Sequence, residues 1–236
     1  MMKKVIVDSR IPQKCAETLR EMGFELILLP PFSALSIPVS AHPDMLLFVA
    51  DRDIICHKDY LEANSDIFEK ISAEGYDIIP TDEEISNKYP SDILFNALHI
   101  SDTIYCKRDS ISRFIKDFAS YKNFNVRDVK QGYSKCSVCV VSEGAAITSD
   151  PSLLRAMSAS GLDVLLISSG NITLSGYDTG FIGGCSGQNG DGVYFSGNIL
   201  LHPDGEKIID FCAKHGKITI SLSDEPLVDI GSLFFI

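Results

Sequence analysis

The 236-residue chain lacks any apolar run approaching the roughly 18 to 20 residues that a membrane-spanning helix requires. Met1-Met-Lys-Lys leads into only three apolar residues before Asp8, too few for a signal-peptide core. No membrane partner is expected, and a cytoplasmic location is the default. Basic runs are scarce as well: none exceeds two residues, against a net charge of −11. A phosphate backbone is bound by clustered Lys and Arg, so nucleic acid is not expected as a partner. The acidic balance favours a cationic ligand only weakly, because such a charge commonly serves solubility. Dinucleotide and Walker patterns are missing, and the most glycine-rich stretch, residues 180–190, leads to a strand rather than a helix, so no cofactor is expected. Seven cysteines (15, 56, 106, 136, 139, 185 and 212) are an odd count in a chain that is 45% hydrophobic, which suits reduced thiols. Cys136-Ser-Val-Cys139 has no second pair, and on a strand an offset of three turns its side chains to opposite faces, so no metal is expected.

What the chain does contain is one pattern written five times: an apolar strand, a turn, a second strand, an amphipathic helix ending in Gly or Asn, and a third strand. Gly23, Gly75, Asn123, Gly161 and Gly216 mark the helix ends, where a left-handed residue is wanted. Polar leads at Asp44, Asp92, Cys136, Asp178 and Asp229 open the first strands, expected over 42–48, 91–95, 135–141, 178–182 and 229–236. Second strands are expected over 4–7, 53–56, 103–106, 145–148 and 192–195. The last first strand thus stands at one end of the chain and its second strand at the other. The step from Asp229 round to Asp44 has the length of an ordinary repeat. This favours an α/β fold in the form of a closed five-bladed ββαβ propeller, the C-terminal strand completing the N-terminal blade and leaving no exposed edge. An ordinary mixed α/β sandwich is the alternative. One domain over 1–236 is expected, with blades at 229–236 plus 1–30, 42–80, 91–130, 135–168 and 178–223.

Local signals agree. Ile111, Phe114, Ile115 and Phe118 form an apolar helical stripe; Asp150 before Pro151 reads as a helix cap, and Ser65 before Asp66 as another. The glycines of 180–190 suit close backbone approach near a ring axis, with Gly187 to Gly192 as a loose hairpin turn.

Five such units, with polar residues leading each first strand and His42-Pro-Asp44 leading one of them, resemble the pentein or guanidino-group-modifying fold. That superfamily includes arginine deiminase, dimethylarginine dimethylaminohydrolase and amidinotransferases, and also a non-enzymatic ribosome anti-association initiation factor. More closely still, the chain looks like an uncharacterised bacterial group assigned to this fold. His42-Pro-Asp44 looks like the start of the family's His-x-Asp-x-x-Phe signature, with Leu47 where the Phe would stand and Phe48 one residue late. The resemblance implies His42 as general acid/base, Asp44 as a guanidinium ligand, and Cys136, two units on, as nucleophile. It also points to Asp229 and Asp178, one and two units before His42, as substrate-binding acids, and Asp92 leads the remaining unit. Attack on a planar, cationic, poorly electrophilic carbon needs such a thiolate, carboxylates to hold the NH groups, and an acid/base for the leaving amine.

The order departs from the family pattern. Known members run acid, His, Cys, with the Cys near the C-terminus; here His is early, Cys central, and Ser232 stands near the end without a Cys. Either the site is rotated or catalysis has been lost, and Cys185 is a second candidate nucleophile. Two functions stand: a cysteine-dependent hydrolase or transferase acting on a small cationic guanidino or amidino ligand, and a non-catalytic binding or assembly module. The segment 30–41 is long enough to cover a channel mouth.

Overall fold

Short apolar runs such as Val5-Ile-Val7 and Ile54-Ile-Cys56 have no polar face to leave in water, so they become strands buried on both sides with a partner along each edge. The structure, a computed structural model, describes residues 3–236, so residues 1 and 2 of the expected first blade lie outside the described residues. The first unit contains β1 (Lys3–Asp8), α1 (Gln13–Glu21) and β2 (Phe24–Leu29). A 3-10 turn (Ile37–Val39) and the one-turn α2 (Pro43–Leu46) lead to β3 (Leu47–Ala50), β4 (Asp53–His57), α3 (Lys58–Ala63), α4 (Ser65–Ser72) and β5 (Asp77–Thr81). The next unit comprises β6 (Leu98–Ile100), β7 (Thr103–Cys106), α5 (Arg113–Lys122) and β8 (Asn125–Asp128). Then come β9 (Val138–Ser142), β10 (Ala145–Thr148), α6 (Pro151–Ala159) and β11 (Asp163–Leu166). The last full unit holds β12 (Ser186–Asn189), β13 (Gly192–Phe195), a 3-10 turn (Ile199–Leu201), α7 (Gly205–Lys214) and β14 (Ile218–Ser221), before β15 (Phe234–Phe235).

These strands form five three-stranded sheets, ordered β15-β1-β2, β3-β4-β5, β6-β7-β8, β9-β10-β11 and β12-β13-β14. In each, the middle strand is antiparallel to the first and parallel to the third. The chain ends meet in one sheet: Phe235 stands opposite Val5 and Phe234 opposite Ile6. Phe235 also packs on Phe24 and on Tyr194 of the neighbouring unit, at ring distances of 5.1 and 4.7 Å.

The expected first strands begin several residues too early. Their polar leads form turns, irregular backbone or α2 instead, and at Asp44 and Cys136 the backbone groups bond to other units rather than along a ladder. Two residues before each first strand stand Met45, Asn96, Cys136, Gly184 and Ser232, and hydrogen bonds link these turns in a closed circuit. Asn96 Nδ2 donates to the Asp44 carbonyl (3.0 Å) and to Cys136 Sγ (2.8 Å). Gly184 N donates to Cys136 O (2.9 Å), Ser232 N to Gly184 O (2.7 Å), and Asp44 N to Gly231 O (3.0 Å). Beyond the circuit, Val49, Ala97, Val140, Gly187 and Phe235, one from each unit, line a cavity of about 190 Å³ at one axial mouth.

The five helix-end residues all adopt positive φ, from +59° at Asn123 to +91° at Gly161. Asp150 Oδ1 accepts from Ser152 N (2.7 Å) and Leu153 N (3.0 Å), the expected cap. Ser65 is not a cap; it is the first residue of α4, preceded by Asn64, whose side chain instead donates to Tyr60 O at 2.8 Å. The hairpin expected to turn loosely over 187–192 is tight, with only Gly190 and Asp191 between β12 and β13. Among the described residues no helix is long and apolar enough to cross a membrane.

Candidate active site

Pro43 opens α2 and fixes the extended backbone of His42 before it (φ −65°, ψ 120°). The imidazole makes no capping bond and is 3% exposed. Gly231, at φ +71°, lies so close behind it that a Cβ there would overlap His42. Asp229 is seated the same way: a Cβ at Gly180 or Gly184 would overlap its side chain. The close approach expected of the glycine-rich stretch is an approach to a carboxylate at Gly180 and Gly184, and to the backbone of Lys135, Cys136 and Leu233 at Gly183 and Gly187. Asp229 Oδ2 accepts from Phe181 N (2.9 Å) and Oδ1 from Gly231 N (3.0 Å).

His42, Cys136 and Asp229 line one cavity of about 130 Å³. Val39 and Met45 form part of its wall, and Tyr133 stacks on Phe181 at 6.0 Å. Leu174, Tyr177 and Thr179 cover another side. Val39 belongs to the segment 30–41, and that segment touches the opposite loop through Ser36 Oγ and Tyr177 Oη, 3.3 Å apart. Asp44 is fully buried and does not itself line this cavity. Its Oδ2 accepts from Ser232 Oγ (2.7 Å), while Oδ1 has no partner. Lys135 Nζ donates to the same Ser232 hydroxyl at 2.8 Å, so an ammonium on the far side of the circuit is linked to Asp44 through one oxygen.

The sequence-expected residues divide. His42, Asp44, Cys136 and Asp229 come together. Asp92 is buried one layer out, accepting from the Tyr133 hydroxyl at 2.7 Å. Asp178 is exposed and does not line the cavity; its loop presents Tyr177 and Thr179 there instead. Cys185 is buried off the cavity with Sγ 3.3 Å from Ile182 O. Cys139 packs in a separate apolar cluster from Cys136, which sits in the turn before β9 rather than on a strand. Two contributors carried no motif. Asn96 holds the Cys136 sulfur, and Asp8, at the end of β1, lies with Oδ2 3.8 Å from His42 Nε2 while Arg10 grips it through two side-chain bonds of 2.9 and 2.6 Å. His42 Nδ1 is 3.6 Å from Asp229 Oδ1.

Burial pushes the Cys136 thiol well above its usual range; Asp44 and Asp229 push it further, and the Asn96 N–H works against them. Burial likewise pushes the Asp229 carboxyl up to about 6, countered by His42 and reinforced by Asp44. Among the described residues no group of three or more His, Cys, Asp or Glu side chains could hold a metal ion. The arrangement suits a planar cation whose N–H groups meet carboxylates while its carbon faces a sulfur.

Five ββαβ units closed around such a centre define the pentein, or guanidino-group-modifying enzyme, fold. Within it the chain belongs to the family of unknown function DUF6873, whose model matches residues 6–234. No curated protein matches. Among solved structures, DDAH from Pseudomonas aeruginosa in complex with citrulline is similar with a TM-score of 0.56 and 11% identity, over 94% of this chain and 92% of that one. An amidinotransferase of saxitoxin biosynthesis from Microseira wollei gives 0.57 and 10%, over 94% and 88%. The inosamine-phosphate amidinotransferase of Streptomyces griseus gives 0.53 and 12%, over 94% and 88%. At such identities the likeness is one of fold.

Proposed function

We propose that this protein is a cysteine-dependent hydrolase or transferase acting on a small guanidino or amidino compound. Cys136 is the nucleophile, His42 the acid/base, and Asp44 and Asp229 the cation ligands, with Asp92 supporting through Tyr133. The observation that carries the reading is that His42, Cys136 and Asp229 line one cavity, beside fully buried Asp44, whose Oδ1 has no donor unless the Cys136 thiol supplies one. Buried carboxylate oxygens without a donor are costly, and a guanidinium supplies donors and charge together.

The same cation activates the sulfur. In the free protein burial first, and then the flanking carboxylates, hold the thiol protonated; a bound guanidinium offsets the carboxylates, and the Asn96 N–H stabilises the thiolate. His42 takes the thiol proton as the S–C bond forms, and returns it to the leaving amine as the C–N bond breaks. Water, or an acceptor amine in a transferase, then attacks the amidino-thioether carbon; His42 removes its proton, the C–S bond breaks and the thiolate is regenerated. Asp178 takes no part, since it is exposed and off the cavity.

The test is incubation with butylguanidinium, agmatine, arginine and methylated arginines, scored for ureido or amidino-transfer products. Cys136→Ala should abolish turnover while retaining binding, and Asp44→Asn should weaken binding. Unchanged turnover in Cys136→Ala would remove Cys136 from this role. Tight binding without turnover in the wild type would favour the non-catalytic module, a reading drawn from the depth at which Cys136 is buried.

A further inference from the structure

The cavity that holds Cys136 has the Asp229 carboxylate as partner for a cation but, among the described residues lining it, no Lys or Arg to meet an anion. The nearby cations are committed elsewhere. Arg10 is spent on Asp8 and on the carbonyls of Ile37 (2.5 Å) and Pro38 (3.0 Å). Lys135 turns away along the axis, donating to Ser232 and lying 5.2 Å over the Phe234 ring in the cavity of the other mouth. What surrounds the space beyond Asp229 is Val39, Met45, Tyr133, Leu174, Tyr177 and Phe181, with Thr179, whose hydroxyl is turned to the carbonyls of Ile172 and Gly180. At about 130 Å³ it is also small beside the roughly 300–1,000 Å³ of a site for a drug-sized ligand.

We propose that the ligand of this site is a guanidinium or amidinium carrying a short, uncharged apolar substituent and no carboxylate, so that guanidino acids are discriminated against. The inference rests on reading the cavity as a cation site. A carboxylate entering it would lose its water, find no cationic partner, and stand near the Asp229 carboxylate. Like charges about 8 Å apart at an effective dielectric constant near 20 repel enough to weaken binding by about thirtyfold.

The experiment measures binding to Cys136→Ala by calorimetry, with butylguanidinium and 4-guanidinobutyrate as probes matched except for the carboxylate. Butylguanidinium should bind at least tenfold tighter. Tyr177 is 49% exposed at the rim, so Tyr177→Arg should fold normally and recover about tenfold for 4-guanidinobutyrate without improving butylguanidinium. Equal affinities, or tighter binding of the carboxylate, would overturn the inference while leaving the cation site standing. If neither probe binds, and guanidinium alone does not bind either, the cation site itself fails and the inference falls with it.

Discussion

Asp229 should make this protein less stable at neutral pH than at acid pH, and replacing it should reverse the effect. Its carboxyl is pushed from 3.8 to about 6 by burial and by Asp44, with His42 opposing. Between pH 4 and 6 the folded protein therefore holds a proton that the unfolded chain has released. The stability from that proton is fully present below about pH 4 and lost as pH rises through about 6. A shift of about two pH units is worth about 3 kcal/mol. Asp229→Asn cannot ionise, but its amide accepts only at one atom, so one of the bonds from Phe181 N and Gly231 N is lost at about 1–2 kcal/mol. The variant should be less stable than wild type by about 1–2 kcal/mol at pH 4 and more stable by a similar margin at pH 7.5. Urea denaturation at half-unit pH steps would place the crossing between about pH 5 and 6. Repeating the pair in a His42→Gln background keeps the imidazole out of the comparison. Parallel stability curves, or a wild type that gains on the variant as pH rises, would refute the reasoning.

Phe235→Ala should cost about 2–4 kcal/mol, since it removes a ring packed on both Phe24 and Tyr194 at the seam between two units, and differential scanning calorimetry would read a fall of about 5–10 °C. Gly231→Ala combines a φ of +71° with a Cβ overlapping His42, whereas Gly23→Ala has φ +86° but open space; the first should lose about 1–3 kcal/mol more in urea melts. All seven cysteines are buried, and Cys136 is held protonated, so a thiol reagent at pH 7 should label the native protein far more slowly than the seven sites of the urea-unfolded chain. Rapid labelling of one native thiol would place a thiolate at Cys136 before any ligand binds.

Much of this fold could be read from residues whose physics is local. Second strands began within a residue of the expected positions, and all five helix ends carried the positive φ that Gly or Asn supplies. The pairing of Phe234 and Phe235 with β1 followed from repeat length alone. First strands were misplaced because a polar lead and a strand start are distinguished only by where their backbone groups bond, and those partners lie in other units. The clustering of the candidate residues was legible where a motif survived, at His42-Pro-Asp44, and where repeat counting sufficed, at Cys136 and Asp229. Asp178 satisfied the count, but side-chain direction within a loop is set by contacts, and its neighbours Tyr177 and Thr179 face inward. Asn96 and Asp8 left no comparable sign. One follows Phe95 in an irregular turn and the other ends an apolar strand, where a polar residue is ordinary.

The centre of the ring repeats its backbone but not its side chains. At equivalent places stand a thioether, an amide, a thiol, a bare glycine and a hydroxyl: Met45, Asn96, Cys136, Gly184 and Ser232. The glycine leaves room for Asp229, the amide holds the sulfur, and the hydroxyl connects Lys135 to Asp44. Negative charge is thus only partly offset: Arg10 answers Asp8, and Lys135 answers Asp44 at one remove, while Asp44 Oδ1 is left without a donor. A core selected for stability alone would neutralise or delete these carboxylates, as the expected gain from Asp229→Asn at neutral pH indicates. Keeping them at that cost is understandable if a cation completes the set when it binds.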